Sequence, residues 1–90
     1  LISENVKIDN LTQIAHGVKI YRNVTILANV VIAGSVVIGE DSWISFSSSI
    51  LNKVKIGKNC LVGVDSCVMK DIKDNHVVIG SPAKFFRLNK

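Results

Sequence analysis

A strict six-residue period governs this chain. Stepping by six from Ile2 gives Ile8, Ile14, Ile20, Ile26, Ile32, Ile38, Ile44, Ile50, Ile56, Val62 and Val68, so all twelve positions hold Ile or Val. The position two before each, from Val6 on, reads Val6, Thr12, Val18, Val24, Val30, Val36, Ser42, Ser48, Val54, Cys60 and Ser66, each small or β-branched. Neither a helical nor a plain alternating pattern yields a strict six. A short strand followed by a turn does, with two side chains of each unit facing inward. Three units close a triangular coil of 18 residues, and coils stack by parallel strand pairing about 4.8 Å apart. Repetition at a fixed period is the mark of such a solenoid. The expectation is an all-β parallel β-helix of about four coils over residues 1–72, a prism roughly 20 Å tall. Asn5, Asn23, Asn29 and Asn59, with Gly39, Gly57 and Gly63, fall in the turns, where tolerance of positive φ is useful.

The register ends after Val68 and is broken at Asp74. Residues 73–90 then read as a cap: a strand at Val77 to Ile79, a turn at Gly80-Ser81-Pro82, and a short helix over Ala83 to Leu88 presenting Phe85, Phe86 and Leu88. An open coil end needs such a cover. The repeat is already running at Leu1, which points to a fragment of a longer chain. No hexad is interrupted, so any chemistry must come from the coil corners.

Composition narrows the partners. The net charge is +4, with one Arg in the body and one in the tail and aromatics at 6%. That is a poor match for a nucleic-acid surface, and a phosphate-bearing small anion suits it better. No apolar run of 18 residues exists, so no membrane span is expected, and without a visible signal peptide the expected location is cytoplasmic. Cys60 and Cys67 have neither a metal-ligand nor a disulfide spacing and read as reduced, packed thiols. A three-histidine zinc site on the same coil is disfavoured, because only His16 and His76 are present and they do not share a register. No metal site is expected. Ice binding is disfavoured too, since Thr12 and Thr25 form no array.

Eighteen-residue spacing turns sequence into vertical stacking. One corner reads His16, Gly34, Asn52, Lys70; a second Asp9-Asn10, Leu27-Ala28, Ser45-Phe46, Gly63-Val64; the third Arg22, Glu40, Lys58. On the first, a histidine has a glycine one coil away, about 5 Å along the axis. A glycine corner exposes its N–H with no side chain in the way. The pair has the makings of a general base and an oxyanion donor. Against this, a lone histidine at a solvated turn is ordinarily just a turn residue, and His76, in the tail, reads as a surface residue.

The stretch "IDNLTQIAHGVKIYRNVTILANVVIAGSVVIGEDSWIS", residues 8–45, resembles hexapeptide-repeat acyltransferases, specifically the N-acyltransferases acting on UDP-3-O-acyl-glucosamine in lipid A synthesis. The matching residues are Ile8-Asp9-Asn10, Gln13-Ile14-Ala15-His16 and Ile32-Ala33-Gly34-Ser35. The resemblance implies a left-handed β-helix, whereas general crossover rules favour the opposite hand. It also implies that His16 is the general base and the Gly34 N–H the oxyanion donor, with Asp9, Asn10 and Gln13 as candidate acceptor-binding residues. Asp9 is alternatively an orienter for a histidine on a neighbouring subunit. Lys53 stands where the family has a second histidine, which points away from the lipid A acceptor itself.

The closing segment "VGVDSCVMKDIKDNHVVIGSPAKFFR" instead resembles that of hexapeptide O- and N-acetyltransferases. There Val64, Met69 and Lys70 match positions lining the pantetheine arm of coenzyme A, and Lys84 and Arg87 match basic residues near its phosphates. For those two, a solvated basic face is an equal reading. The implied activity moves an acyl group, in the first instance acetyl, from acyl-CoA or acyl carrier protein to an amine or hydroxyl of a sugar or nucleotide sugar, as in lipopolysaccharide or surface polysaccharide synthesis. Acyl-CoA would be a co-substrate, and no permanently bound cofactor is implied. Tyr21, Trp43 and Phe46 point outward by register, as subunit-contact residues would, and the family implies a homotrimer. The competing reading is a non-catalytic trimeric scaffold.

Overall fold

The computed structural model describes all of residues 1–90. Eleven two-residue strands carry the repeat: β1 (Lys7–Ile8), β2 (Gln13–Ile14), β3 (Lys19–Ile20), β4 (Thr25–Ile26), β5 (Val31–Ile32), β6 (Val37–Ile38), β7 (Trp43–Ile44), β8 (Ser49–Ile50), β9 (Lys55–Ile56), β10 (Leu61–Val62) and β11 (Cys67–Val68). Two longer strands follow, β12 (His76–Ile79) and β13 (Lys84–Leu88). In each strand from β3 to β11 the second residue, Ile or Val, is buried. The sheets run β1-β4-β7-β10-β12-β13, β2-β5-β8-β11 and β3-β6-β9. Among β1 to β11 pairing is parallel and joins strands 18 residues apart, as in Lys7 with Thr25 and Thr25 with Trp43. The chain is a left-handed parallel β-helix of about four coils.

Ile20, Ile26, Ile32, Ile38, Ile44 and Ile50 fill the prism and are essentially inaccessible. The second inward position holds valine in the early coils apart from Thr12, and in the later ones Ser42, Ser48, Cys60 and Ser66 with Val54. Ser42 Oγ donates to the Gly57 carbonyl (3.0 Å) and accepts from the Cys60 N–H (3.1 Å); Ser48 Oγ donates to the Gly63 carbonyl (2.9 Å). Each hydroxyl bridges two coils, so these buried oxygens are satisfied rather than costly.

Positive φ recurs at every sixth residue, from Asn5 (55°) through Asn23, Asn29 and Asn59 to Asp65 (55°). The asparagines thus sit as the turn chemistry requires. Gly39, Gly57 and Gly63 do not: the glycines with positive φ are Gly17 and Gly80. What requires glycine at 39 is crowding. A Cβ there would lie 2.6 Å from the carbonyl carbon and oxygen of Gly57.

The period breaks by losing two residues. Ile72 bridges to Ile56, 16 residues back, and Leu61 pairs with Val77 at the same separation. Asp74 fits the shortened coil by accepting the Lys58 N–H (2.8 Å). The six-residue step then resumes from Ile72 to Val78, so the parallel ladder runs on through β12. The short helix expected over Ala83 to Leu88 is instead strand β13, antiparallel to β12. The physical reason is that a helix of six residues cannot repay its nucleation, while the bare edge of β12 offers backbone partners at once.

Candidate functional site

The turn after β2 carries His16, and the turn after β5 carries Gly34. Stacking at this corner is direct: the Ser35 N–H donates to the His16 carbonyl (3.0 Å), and the Lys53 N–H to the Gly34 carbonyl (2.9 Å). His16 is exposed, and its ring makes no hydrogen bond within the chain. The Gly34 N–H donates to no protein acceptor. That much is not special to Gly34, since the Ala28 and Phe46 N–H groups at the same turn position have no protein acceptor either. What is particular to Gly34 is open space, for an added Cβ would touch only the His16 carbonyl oxygen, at 3.4 Å. An imidazole and an unshielded amide therefore occupy successive levels of one edge.

The acceptor candidates sit elsewhere on the prism. Asp9 Oδ1 accepts the Asn10 N–H (2.7 Å), closing its own turn at the preceding corner. Gln13 projects from β2, between that corner and His16, and is exposed. Asp9 and His16 stand at different corners of the prism, and no hydrogen bond joins them. Lys53 stands beside the His16 column, above Gly17 and Ser35 in the left-handed region, with φ 66°.

Of the five donor-side candidates, three come together. Met69, Lys70 and Lys84 line a cleft of about 200 Å³ with Pro82 and Ala83. Val64 is exposed one corner away. Arg87 lies further along β13, where its guanidinium donates to the Leu88 carbonyl (3.0 Å). Tyr21, Trp43 and Phe46 are all exposed, as their register predicts.

Sequence reasoning passed over two features. His76 is half-buried on β12 rather than a free surface residue, its ring centroid 4.6 Å from that of Phe85. The two rings lie beside a second cleft at the end of the prism. Burial also pushes the Cys60 thiol above its ordinary value. Both cysteines are free. No group of three or more His, Cys, Asp or Glu side chains is gathered as a metal site, and no helix is long and apolar enough to cross a membrane.

A solenoid of hexads stacked at an 18-residue spacing is the architecture of the hexapeptide-repeat proteins. Residues 1–34 match the family described as bacterial transferase hexapeptide (six repeats). Serine acetyltransferase 2 of Arabidopsis thaliana is 31% identical over 88 residues, 98% of this chain and 26% of that protein. UDP-3-O-acylglucosamine N-acyltransferase of Caulobacter sp. (strain K31) is 32% identical over 83 residues, 92% of this chain and 24% of that protein. Among solved structures, the acetyltransferase domain of PglB from Neisseria gonorrhoeae FA1090, in complex with acetyl coenzyme A, superposes with a TM-score of 0.91 at 22% identity, over 94% of this chain and 44% of that one. The chain belongs to the hexapeptide-repeat transferase family. It spans about a quarter of the length of these two curated relatives.

Proposed function

We propose that this chain is the catalytic β-helix of an acyltransferase that moves an acyl group, in the first instance acetyl, from a pantetheine thioester to an amine or hydroxyl of a sugar or nucleotide sugar. The observation that carries the reading is the His16–Gly34 edge: a ring free of intramolecular partners, one coil from an amide free of both acceptor and side chain. In the reaction His16 takes the proton from the acceptor as its nitrogen or oxygen attacks the thioester carbonyl carbon. The carbonyl oxygen becomes an oxyanion at the Gly34 N–H. Collapse re-forms the carbonyl and breaks the C–S bond, and the imidazolium returns its proton to the thiolate.

The cleft of Met69, Lys70 and Lys84 lies towards the far end of the His16 column and supports a donor with an apolar arm and phosphates. Lysine ammoniums serve phosphate as point charges. The acetyl coenzyme A held by the PglB domain favours acyl-CoA over carrier protein as that donor. Exposed Trp43, Phe46 and Tyr21 support a trimer, in which Asp9, Asn10 and Gln13 of one subunit meet the acceptor beside His16 of the next. The reading includes a cytoplasmic location, where acyl-CoA is available.

The test is His16→Ala in the full-length protein, assayed with acetyl-CoA against a panel of amino- and hydroxy-sugars. Turnover should fall about 10²–10⁴-fold with an unchanged melting temperature, because the side chain holds nothing in the fold. Equal turnover would remove His16 from the reaction. Calorimetric titration with coenzyme A separates this reading from an inert scaffold, which would bind none.

A further inference from the structure

The prism ends in a second cleft of about 240 Å³. It exists because the last coil is two residues short: Gly80 to Ala83 pass beneath β11, and β13 runs beneath β12. Their path leaves the third side open at Ile72. The floor is therefore core, made by Val68, Ile72 and Val78, with Ala83 and the Phe85 ring as a wall.

The rim has a different chemistry. It carries Lys70 and Lys73, with the His76 ring tilted 59° against that of Phe85. Its single carboxylate, Asp71, is engaged by the Lys55 N–H (2.8 Å). Neither lysine forms an ion pair, the pairs in the molecule being Arg22–Glu40 and Lys58–Glu40. The cleft thus joins an apolar interior to two lysines without ion-pair partners, which outnumber its single carboxylate, and its volume lies below the ~300–1,000 Å³ of drug-sized sites.

We infer that this end cleft binds a small carboxylate with a short apolar tail. The tail lies on Val68, Ile72 and Val78, and the head group meets Lys70 and Lys73. A singly charged head suits the site better than a phosphate dianion, whose desolvation beside an apolar floor costs more. Lys70 and Ala83 also line the donor cleft. Drawing the Lys70 ammonium toward the end cleft weakens its hold on donor phosphate, so the carboxylate opposes acyl-CoA binding. This last step rests on the donor reading above; the binding itself does not.

The experiment titrates the isotopically labelled chain with hexanoate, using hexan-1-ol and acetate as controls, and follows His76, Phe85 and Val78 by NMR. Saturable shifts with hexanoate, and binding about tenfold weaker for either control, are expected. Lys73→Gln should weaken hexanoate about tenfold, the worth of one charge-assisted contact, without moving the melting temperature, since this exposed side chain has no partner. Linear shifts, or equal affinity in wild type and Lys73→Gln, would overturn the inference. Saturating hexanoate should also raise the acetyl-CoA dissociation constant in wild type. The same concentration should do less in Lys73→Gln. Hexanoate binding without acetyl-CoA binding keeps the end cleft and sinks the donor reading; the reverse keeps the donor reading and sinks the end cleft.

Discussion

Gly34→Ala separates chemistry from folding at one position. Gly34 lies outside the left-handed region, and the added methyl would meet only the His16 carbonyl oxygen, in ordinary contact at 3.4 Å. The fold should accept it, and losing glycine's unfolded-state freedom stabilises by about 0.4–1 kcal/mol where the backbone allows alanine. The chemistry should not accept it. An oxyanion sits about 2.9 Å from its donor nitrogen, while a carbon wants roughly 3.3 Å or more from such an oxygen. A methyl one bond from that nitrogen's neighbour pushes the oxyanion outward without removing the N–H. The expected fall in kcat is about ten- to a hundredfold, part of the ~10²–10³ that deleting one donor costs. Steady-state kinetics with acetyl-CoA, beside thermal unfolding of the same sample, measures both quantities. A variant with wild-type kcat and a raised melting temperature would refute the assignment, because the oxyanion would then lie at another amide.

Gly39→Ala is the contrasting case: its Cβ would lie 2.6 Å from the Gly57 backbone, and urea unfolding should register a loss of about 1–3 kcal/mol or more. Leu11 holds φ 61° while 82% exposed, so it bears left-handed strain with no packing in return. Leu11→Gly should gain about 0.5–1 kcal/mol, the ~1–2 kcal/mol of strain less glycine's entropic cost; unchanged or lower stability would count against that account. The raised Cys60 thiol predicts slow labelling, because the reactive species is the thiolate. Alkylation at mildly alkaline pH followed by mass spectrometry should find Cys67 modified first and Cys60 only on unfolding.

Much of the fold was legible because a period of six admits few solutions. Each strand is two residues of a hexad, so every Ile or Val on the six-step told which way its neighbours faced, and Trp43 and Phe46 followed outward. The turn asparagines were legible for the same reason. The glycines at 39, 57 and 63 were misread because crowding between coils depends on what stacks above and below, which a single hexad does not reveal. The end of the chain was harder. Two residues vanish between Val68 and Ile72, and a pattern reader who loses the step there sees Val77 to Ile79 as a new element rather than the last rung of the ladder. Phe85 to Leu88 then resembles a helical face, because the edge it pairs with is invisible from local sequence.

The proposed reaction centre was legible only as far as stacking carries. Eighteen residues between His16 and Gly34 mean one edge, and the two backbone bonds joining their turns to the next coil bear this out. The same arithmetic put Lys70 on that edge, three coils from His16. It could not reveal that Lys70 faces two clefts, since the second exists only through the shortened coil. A β-helix offers free amides at every corner, so the amide alone selects no position. Selection comes from which side chains share a column: an imidazole above a bare glycine for the chemistry, and an unpaired ammonium at the far end for whatever anion arrives there. If that division of labour is right, exchanging Asn52 for Ala, midway on the same column, should leave kcat untouched. A large loss of kcat there would mean that the column acts as a unit rather than as two separate stations.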